Sequence, residues 1–329
     1  MTMRVNNKFG FYGQILLLAV LVALPFVITS SYLKHIMTLI LVWSFVATAW
    51  AYMARFGMVS LGHGVFLGIG AYFPMMMFNY WGVTPWIGIL VGLAVAMAVA
   101  ALLGYTCFRF GLLGDYFALV TLAVAEVSSL TVMALREVTG GSLGCTLNAT
   151  NRLADMQFAD KRVYYFIALG LLMGAIYIWR RIDKSPIRLA LTAIEESEIA
   201  AASLGVSVIR YKMMITLLSA ALTALGGALY AQYVTYISPE TIAGVTVSLS
   251  VCFKAILGGM FTVLGPFAGS AIIVSLEEYI RIALGTSYMG LSQIIFGVSL
   301  LLLIIFLPKG ILGSITEKIA GRLNRVSAR

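Results

Sequence analysis

The chain has 329 residues, 61% of them hydrophobic and 11% charged, with a formal net charge of +9 and a mean hydropathy of +0.99. Soluble domains carry about 45–50% apolar and about 25% charged residues, so this composition excludes a water-soluble enzyme, a disordered chain and a DNA-binding domain. It predicts an all-α integral membrane protein, because membrane β-barrels show alternating segments of about ten residues rather than long apolar runs. Residues 9–33 and 36–54 carry no charge, and neither do 56–108. The last stretch is long enough for two crossings of about 20 residues each. Its break falls at Asn79, Tyr80, Trp81 and Gly82, before Pro85. The first run is kept as a span rather than a signal peptide, since a second span follows at once.

Ten spans are predicted: 12–30, 36–54, 61–79, 86–106, 116–135, 163–180, 212–234, 244–260, 266–284 and 289–307. They form a single membrane domain over residues 1–329. Lys and Arg gather in cytoplasmic loops. With the N-terminus in the cytoplasm, 15 Lys and Arg fall inside and 6 outside, and Lys254 lies within a span. Both termini are then cytoplasmic, with a basic tail at 309–329. Residues 136–162 form an outer (periplasmic) loop, and residues 185–212 a cytoplasmic one. The +9 charge thus reads as membrane topology and not as a nucleic-acid footprint.

The cytoplasmic loop is the most informative segment. Leu191, Ile194, Glu195, Glu198, Ile199 and Ala202 recur at spacings of three and four, which places an apolar stripe beside an acidic one on a helix. Pro186 can start that helix and Gly205 can end it. Membrane-surface helices favour Lys and Arg on their polar face. This one carries Glu195, Glu196 and Glu198, with no basic residue between Leu189 and Val208. Lying on the membrane and capping the bundle remain ordinary alternatives, but the acidic face favours docking of a protein partner.

The loop resembles the coupling loop of ABC-importer permeases, whose common form is an EAA…G pattern. Ala200, Ala201 and Gly205 match it, and Ile199 stands in the Glu slot with Glu198 one place earlier. Five further segments fall in the expected order: SLGHGVFLGIGAY at 60–72, GDYFALVTLAVAE at 114–126, TGGSLG at 139–144, ILGGMFTVLGP at 256–266 and LPKGILG at 307–313. Together they look like the LivM-type permease of branched-chain amino-acid ABC importers. The resemblance implies a fold similar to the large cobalamin-importer-like (type II) permeases, with about ten helices. It implies a bacterial inner-membrane location and a second, LivH-type permease as partner. Two cytoplasmic ATPases that bind ATP and Mg, and a periplasmic substrate-binding protein, complete the expected assembly. Ala193, Glu195, Glu196, Glu198, Ala200, Ala201 and Gly205 would couple to the ATPases. The chain itself would hold no cofactor and no metal and would not be an enzyme. The family also includes importers of urea, amides and aromatic acids. Leu189, Thr192 and Glu195 stand where Arg is common in the family, so this loop is more acidic than most.

Other residues carry weaker signals. Glu126 and Lys254 are ionisable groups inside predicted spans, where each costs at least ~2.5–3.5 kcal/mol and normally faces the bundle interior or a cavity. They could pair, line a substrate path, or serve an ion-coupled secondary carrier. Such carriers often show matched broken helices in two halves, which this sequence lacks. Ser60 and His63 invite a nucleophile reading, but no acid lies nearby to orient the imidazole. Ser60 reads as an N-cap, and Gly62 and Gly64 as close-packing positions. Thr139, Gly140 and Gly141 form an outer turn that either shapes the mouth where a binding protein would dock, the favoured reading, or simply closes a helix. It lacks the strand, helix and Lys of a phosphate loop, and no GxxxxGK[ST] occurs anywhere in the chain. Glu277 and Arg281 are four apart and can pair on one helix face. Gly258 and Gly259, like Gly68, Gly226 and Gly227, let helices approach closely. Cys107, Cys145 and Cys252 form no CxxC pair, and two histidines cannot build a metal centre alone.

Overall fold

The computed structural model describes residues 18–112, 114–148, 152, 155–158, 160–284, 294–295, 297–298 and 310–311. Helices dominate. They are α1 (Leu18–Val27), α2 (Ser31–Ala54), α3 (His63–Trp81), α4 (Pro85–Arg109), α5 (Gly114–Ala134), α6 (Arg136–Thr139), α7 (Arg162–Asp183), α8 (Pro186–Glu196), α9 (Glu198–Ser203), α10 (Val208–Val234), α11 (Pro239–Ile242), α12 (Val245–Gly258) and α13 (Gly265–Leu284). Among the described residues six segments are long and apolar enough to cross a membrane, α11 and α12 together counting as one of them.

Local sequence sets the helix ends. Pro85, Pro186 and Pro239 occupy first-turn positions of α4, α8 and α11, where the missing N–H has no intrahelical partner to lose. Gly82 ends α3 in the left-handed region at φ +63°, a conformation open to glycine without steric cost. The break predicted around Asn79–Gly82 is therefore found.

The nine predicted spans from 12–30 to 266–284 each correspond to a helix, with ends shifted by a few residues. The first is described only from Leu18. Two features were not anticipated. The short α11 turn precedes α12, and a two-stranded antiparallel ladder joins β1 (Cys145–Thr146) to β2 (Tyr236–Ile237). The tenth predicted span, 289–307, and the basic tail lie outside the described residues, apart from six isolated positions.

Helix α2 is the centre of the bundle. Leu41, Phe45, Trp50, Tyr52 and Met53 are fully buried along it, and it packs against α7, α10, α12 and α13. Helices α3 and α10 cross at backbone contact. A Cβ on Gly70 would lie 1.9 Å from the Ala224 carbonyl oxygen, and one on Gly227 would lie 2.1 Å from that of Leu67. Glycines on both partners of one crossing remove the side chains that would hold the helices apart. Helices α4 and α5 are peripheral, with most of their length left exposed by this chain.

Candidate functional site

One end of the bundle gathers the end of α2, the end of α7, the pair α8–α9 and the start of α10. The predicted single helix is broken. Ser197 is extended (φ −162°, ψ 112°) and caps α9 by accepting from the Ala200 N–H. A serine at this place satisfies one of the free N–H groups of the first turn while redirecting the chain. Gly205, at φ +84°, follows α9 as the helix ends.

The apolar stripe is only partly internal. Leu191, Ile194 and Ala201 are buried at 1%, 4% and 2% exposure, whereas Ile199 and Leu204 are 83% exposed and Leu189 is 74% exposed. The acidic stripe also divides. Glu198 forms an ion pair with Lys212 of α10, whose ammonium also sits 5.1 Å from the Phe108 ring. Glu195 lies alongside the α2–α3 turn, where a Cβ on Gly57 would meet its Cγ at 3.4 Å. Partial burial, and then the charge of Glu196, raise the Glu195 carboxyl above its ordinary pKa of 4.5. Glu196 remains exposed. Of the three acids, Glu198 alone makes an ion pair among the described residues, and Glu195 and Glu196 are both exposed.

Beneath this element lies a second ion pair. Arg55, just past α2, donates to Asp183 at the end of α7 at 2.8 Å. Its guanidinium stacks 3.9 Å from the Trp179 ring and 4.6 Å from that of Phe56. Such a stacked, planar cation is a role that Lys fills poorly. The pair fastens α7 to α2 where α8 begins. Neither Arg55–Asp183 nor Glu198–Lys212 was legible in the sequence, because their partners lie 128 and 14 residues apart with no periodic relation.

Ser60, Gly62, His63 and Gly64 form a buried junction of five helices. His63 is fully buried. Its Nδ1 lies 3.2 Å from Ser60 Oγ and its Nε2 2.9 Å from Ser219 Oγ of α10. Ser219 donates to the Ala49 carbonyl of α2 at 2.7 Å, and the Trp50 indole donates to the Ser60 carbonyl at 2.7 Å. Leu61 N–H donates to Thr121 of α5, and Gly64 N–H to Ser248 of α12. The N-cap of α3 is Gly62, not Ser60. Ser60 instead accepts from the Gly62 N–H at 3.2 Å. Among the described residues no carboxylate touches the imidazole, and the bonds it makes tie α2, α3 and α10 together as a structural node.

The opposite end is closed by short elements. Gly140 and Gly141 adopt φ +79° and +59° after α6, and Thr139 holds the turn by donating to the Val132 carbonyl at 2.6 Å. Asn79 of α3 donates to the Thr146 carbonyl at 2.8 Å and accepts from Asn148 N–H at 3.0 Å. The β1–β2 ladder then joins this loop to the segment after α10. Gly258 and Gly259 end α12. A Cβ on Gly258 would lie 1.8 Å from the Gly265 carbonyl oxygen, and one on Gly310 would lie 2.7 Å from Gly259. Two of the sequence motifs therefore meet at the end of α12, not at this end but on the side of the bundle where α13 begins, with Leu264 and Phe267 beside Ile176 and Arg180 of α7.

The structure does not bring Glu126 and Lys254 into an ion pair. Lys254 is 1% exposed, donates to Ser250 Oγ one turn earlier and sits 4.7 Å from the Trp43 ring. Glu126 is exposed on α5. The expected Glu277–Arg281 pair is replaced by Glu278–Arg281, at 2.6 Å, with Tyr32 also donating to Glu278 at 2.9 Å. Glu278 is the residue of that pair turned into the bundle, at 6% exposure. All three cysteines are free thiols, and no metal-binding cluster occurs among the described residues.

Comparison with known proteins identifies the family. The model of the permease component of the branched-chain amino acid transport system matches residues 32–307. The LivM high-affinity branched-chain amino acid permease proteins of Salmonella typhimurium and Escherichia coli are each 28% identical over 279 residues. That covers 78% of this chain and 64% of theirs. A probable LivH permease of Methanocaldococcus jannaschii is 22% identical over 269 residues, covering 77% of this chain and 82% of that protein. No solved structure matches the chain. The apolar helices and the family match together make this chain a multi-pass membrane protein that belongs to the branched-chain amino acid transport permeases, of the LivM type.

Proposed function

We propose that this chain is one of two paired membrane subunits of an ATP-driven, binding-protein-dependent importer of branched-chain or related amino acids. The observation that carries this reading is the α8–α9 element. It is fastened at its root by Arg55–Asp183 and at the start of α9 by Glu198–Lys212. It offers Leu189 between those anchors, and Ile199 and Leu204 beyond the second, to the outside. A helix pair held rigidly to α2, α7 and α10, yet exposing large apolar side chains, suits transmission of a push from a soluble partner into the bundle. Glu196 and the acidity of α8–α9, three Glu against Arg188 alone, disfavour an anionic membrane surface as the resting place of that face.

In this reading ATP and Mg are bound by two separate cytoplasmic ATPases, and this chain contributes no catalysis. The termini and α8–α9 lie in the cytoplasm of a bacterial inner-membrane protein, and the β1–β2 end receives the periplasmic binding protein. The fold is of the cobalamin-importer kind. The second permease, of LivH type, packs against the outward face of α5, and the pathway runs between the two. Alternating access needs a difference in affinity between states, which ATP and the binding protein supply. An ion-coupled carrier built on Glu126 and Lys254 has less support, since Lys254 is buried against Ser250 and Trp43.

The test is uptake of labelled leucine into proteoliposomes that contain the assembled transporter. Uptake that requires enclosed ATP and added binding protein supports the proposal. Uptake that persists without ATP and follows an ion gradient overturns it.

A further inference from the structure

Helices α4 and α5 both turn a broad face away from the bundle, and the two faces differ in chemistry. On α4 the exposed side chains are Trp86, Ile87, Leu90, Met97, Leu102 and Tyr105, a surface suited to acyl chains. On α5 the buried residues Phe117, Thr121, Ala125 and Ser129 repeat every four, and Tyr116, Leu119, Val127 and Leu130 are exposed. Glu126 lies among the latter and is itself exposed. It is two residues from the midpoint of a 21-residue helix, about 3 Å along the axis. No ion pair or hydrogen bond holds its carboxylate among the described residues.

A carboxylate at that depth is too costly to leave facing lipid, and intramembrane acids face a cavity or an opposite charge. Both buried ammonium groups among the described residues are committed elsewhere, Lys254 to Ser250 and Lys212 to Glu198. Among the described residues no cation reaches Glu126, which leaves its counter-charge to be supplied by what passes along this face. Amino acids carry an ammonium group, whereas urea and simple amides do not. We infer that Glu126 is the counter-charge for the ammonium group of the transported amino acid as it passes along the α5 face. This inference rests on the importer reading and deepens it, because it makes a cationic amine a requirement of the pathway and not only of the binding protein.

The experiment uses the complete transporter in proteoliposomes, with binding protein saturated by labelled leucine. Wild type, Glu126→Gln and Glu126→Asp are compared. The Gln variant is expected to lose uptake by about ten- to a hundredfold, the range for a lost charge-assisted hydrogen bond, while every subunit still co-purifies and ATP hydrolysis continues. The Asp variant is expected to retain more uptake. A second arm places Glu126→Cys in a chain whose three cysteines are changed to Ala. Charged, membrane-impermeant thiosulfonates should label it, and leucine should slow the labelling. Wild-type uptake by the Gln variant, or a thiol unreactive to charged reagents, would overturn the inference. So would loss of the second permease from the Gln complex, which would assign the carboxylate to an ion pair between subunits. Absence of ATP-driven uptake in the wild-type arm would instead overturn the importer reading itself.

Discussion

Replacing His63 with Ala tests the junction that joins the helices. The imidazole is fully buried, is edge-on to Phe66 at a ring separation of 5.6 Å, and bridges Ser60 and Ser219. Removing it breaks two hydrogen bonds, each contributing about 1 kcal/mol. The ring volume it vacates costs about 2–3 kcal/mol more, somewhat less than for a larger aromatic. Ser219 still donates to Ala49 and Ser60 still accepts from Gly62, but the buried Ser60 hydroxyl hydrogen loses the imidazole as its acceptor, which adds about 1 kcal/mol. The sum is about 5 kcal/mol. With an unfolding entropy of about 2 cal/mol/K per residue, this lowers Tm by about 7 °C. The chain holds its own reporters in Cys107 and Cys252, both buried. A thiol-reactive dye followed during heating in detergent reads the transition directly. His63→Gln, which keeps polar ends in reach of both hydroxyls, should recover part of the loss. A His63→Ala protein that melts with wild type and transports normally would refute the node. Selective loss of a chemical turnover, with stability unchanged, would revive the Ser–His nucleophile.

Other expectations follow from the same geometry. Gly227→Val should prevent assembly, because its Cβ would lie 2.1 Å from the Leu67 carbonyl oxygen and must separate α3 from α10; recovery of a monodisperse protein by size exclusion would contradict this. Glu198→Gln should destabilise α9 by about 3 kcal/mol, since it strands the buried Lys212 ammonium, and Glu198→Gln with Lys212→Met should restore much of that; hydrogen exchange at the α9 amides measures both. Glu195 has a raised carboxyl pKa from burial and the charge of Glu196, so its neutral form favours the docked loop. That contribution is full below the ordinary carboxylate value and is lost as pH rises through the raised one. Exchange protection of α8 should therefore fall across that interval, and Glu195→Gln should abolish the fall.

Much of the fold is legible because apolar length is a strong signal. Apolar runs marked the nine long helices α1 to α5, α7, α10, α12 and α13, and Gly82 with Pro85 marked the α3–α4 turn. What escaped depended on contacts between distant segments. The break at Ser197 replaces a continuous amphipathic helix: its extended backbone and its cap on Ala200 start α9 where Glu198 reaches Lys212. Glu195, Glu196 and Glu198 read as one acidic face, yet Glu198 reaches Lys212 and Glu195 lies over the Gly57 turn. A helical spacing of four favoured Glu277 for Arg281, but Glu278 is the acid turned toward Tyr32. Lone hydroxyls such as Ser219 and Ser248 inside apolar runs were the available sign of the His63 junction. Their partners could be named only from the packed helices.

The most direct test of the central claim is affinity purification of this chain from gently solubilised membranes, with and without Ile199→Asp and Leu204→Asp. The account predicts that wild type brings down two ATPases and a second permease. In the double variant the ATPases should be lost while the permease pair remains, because the exposed apolar face of α9 is removed and α5 is untouched. Retention of the ATPases by the double variant, or recovery of wild type alone with uptake driven by an ion gradient, would contradict it.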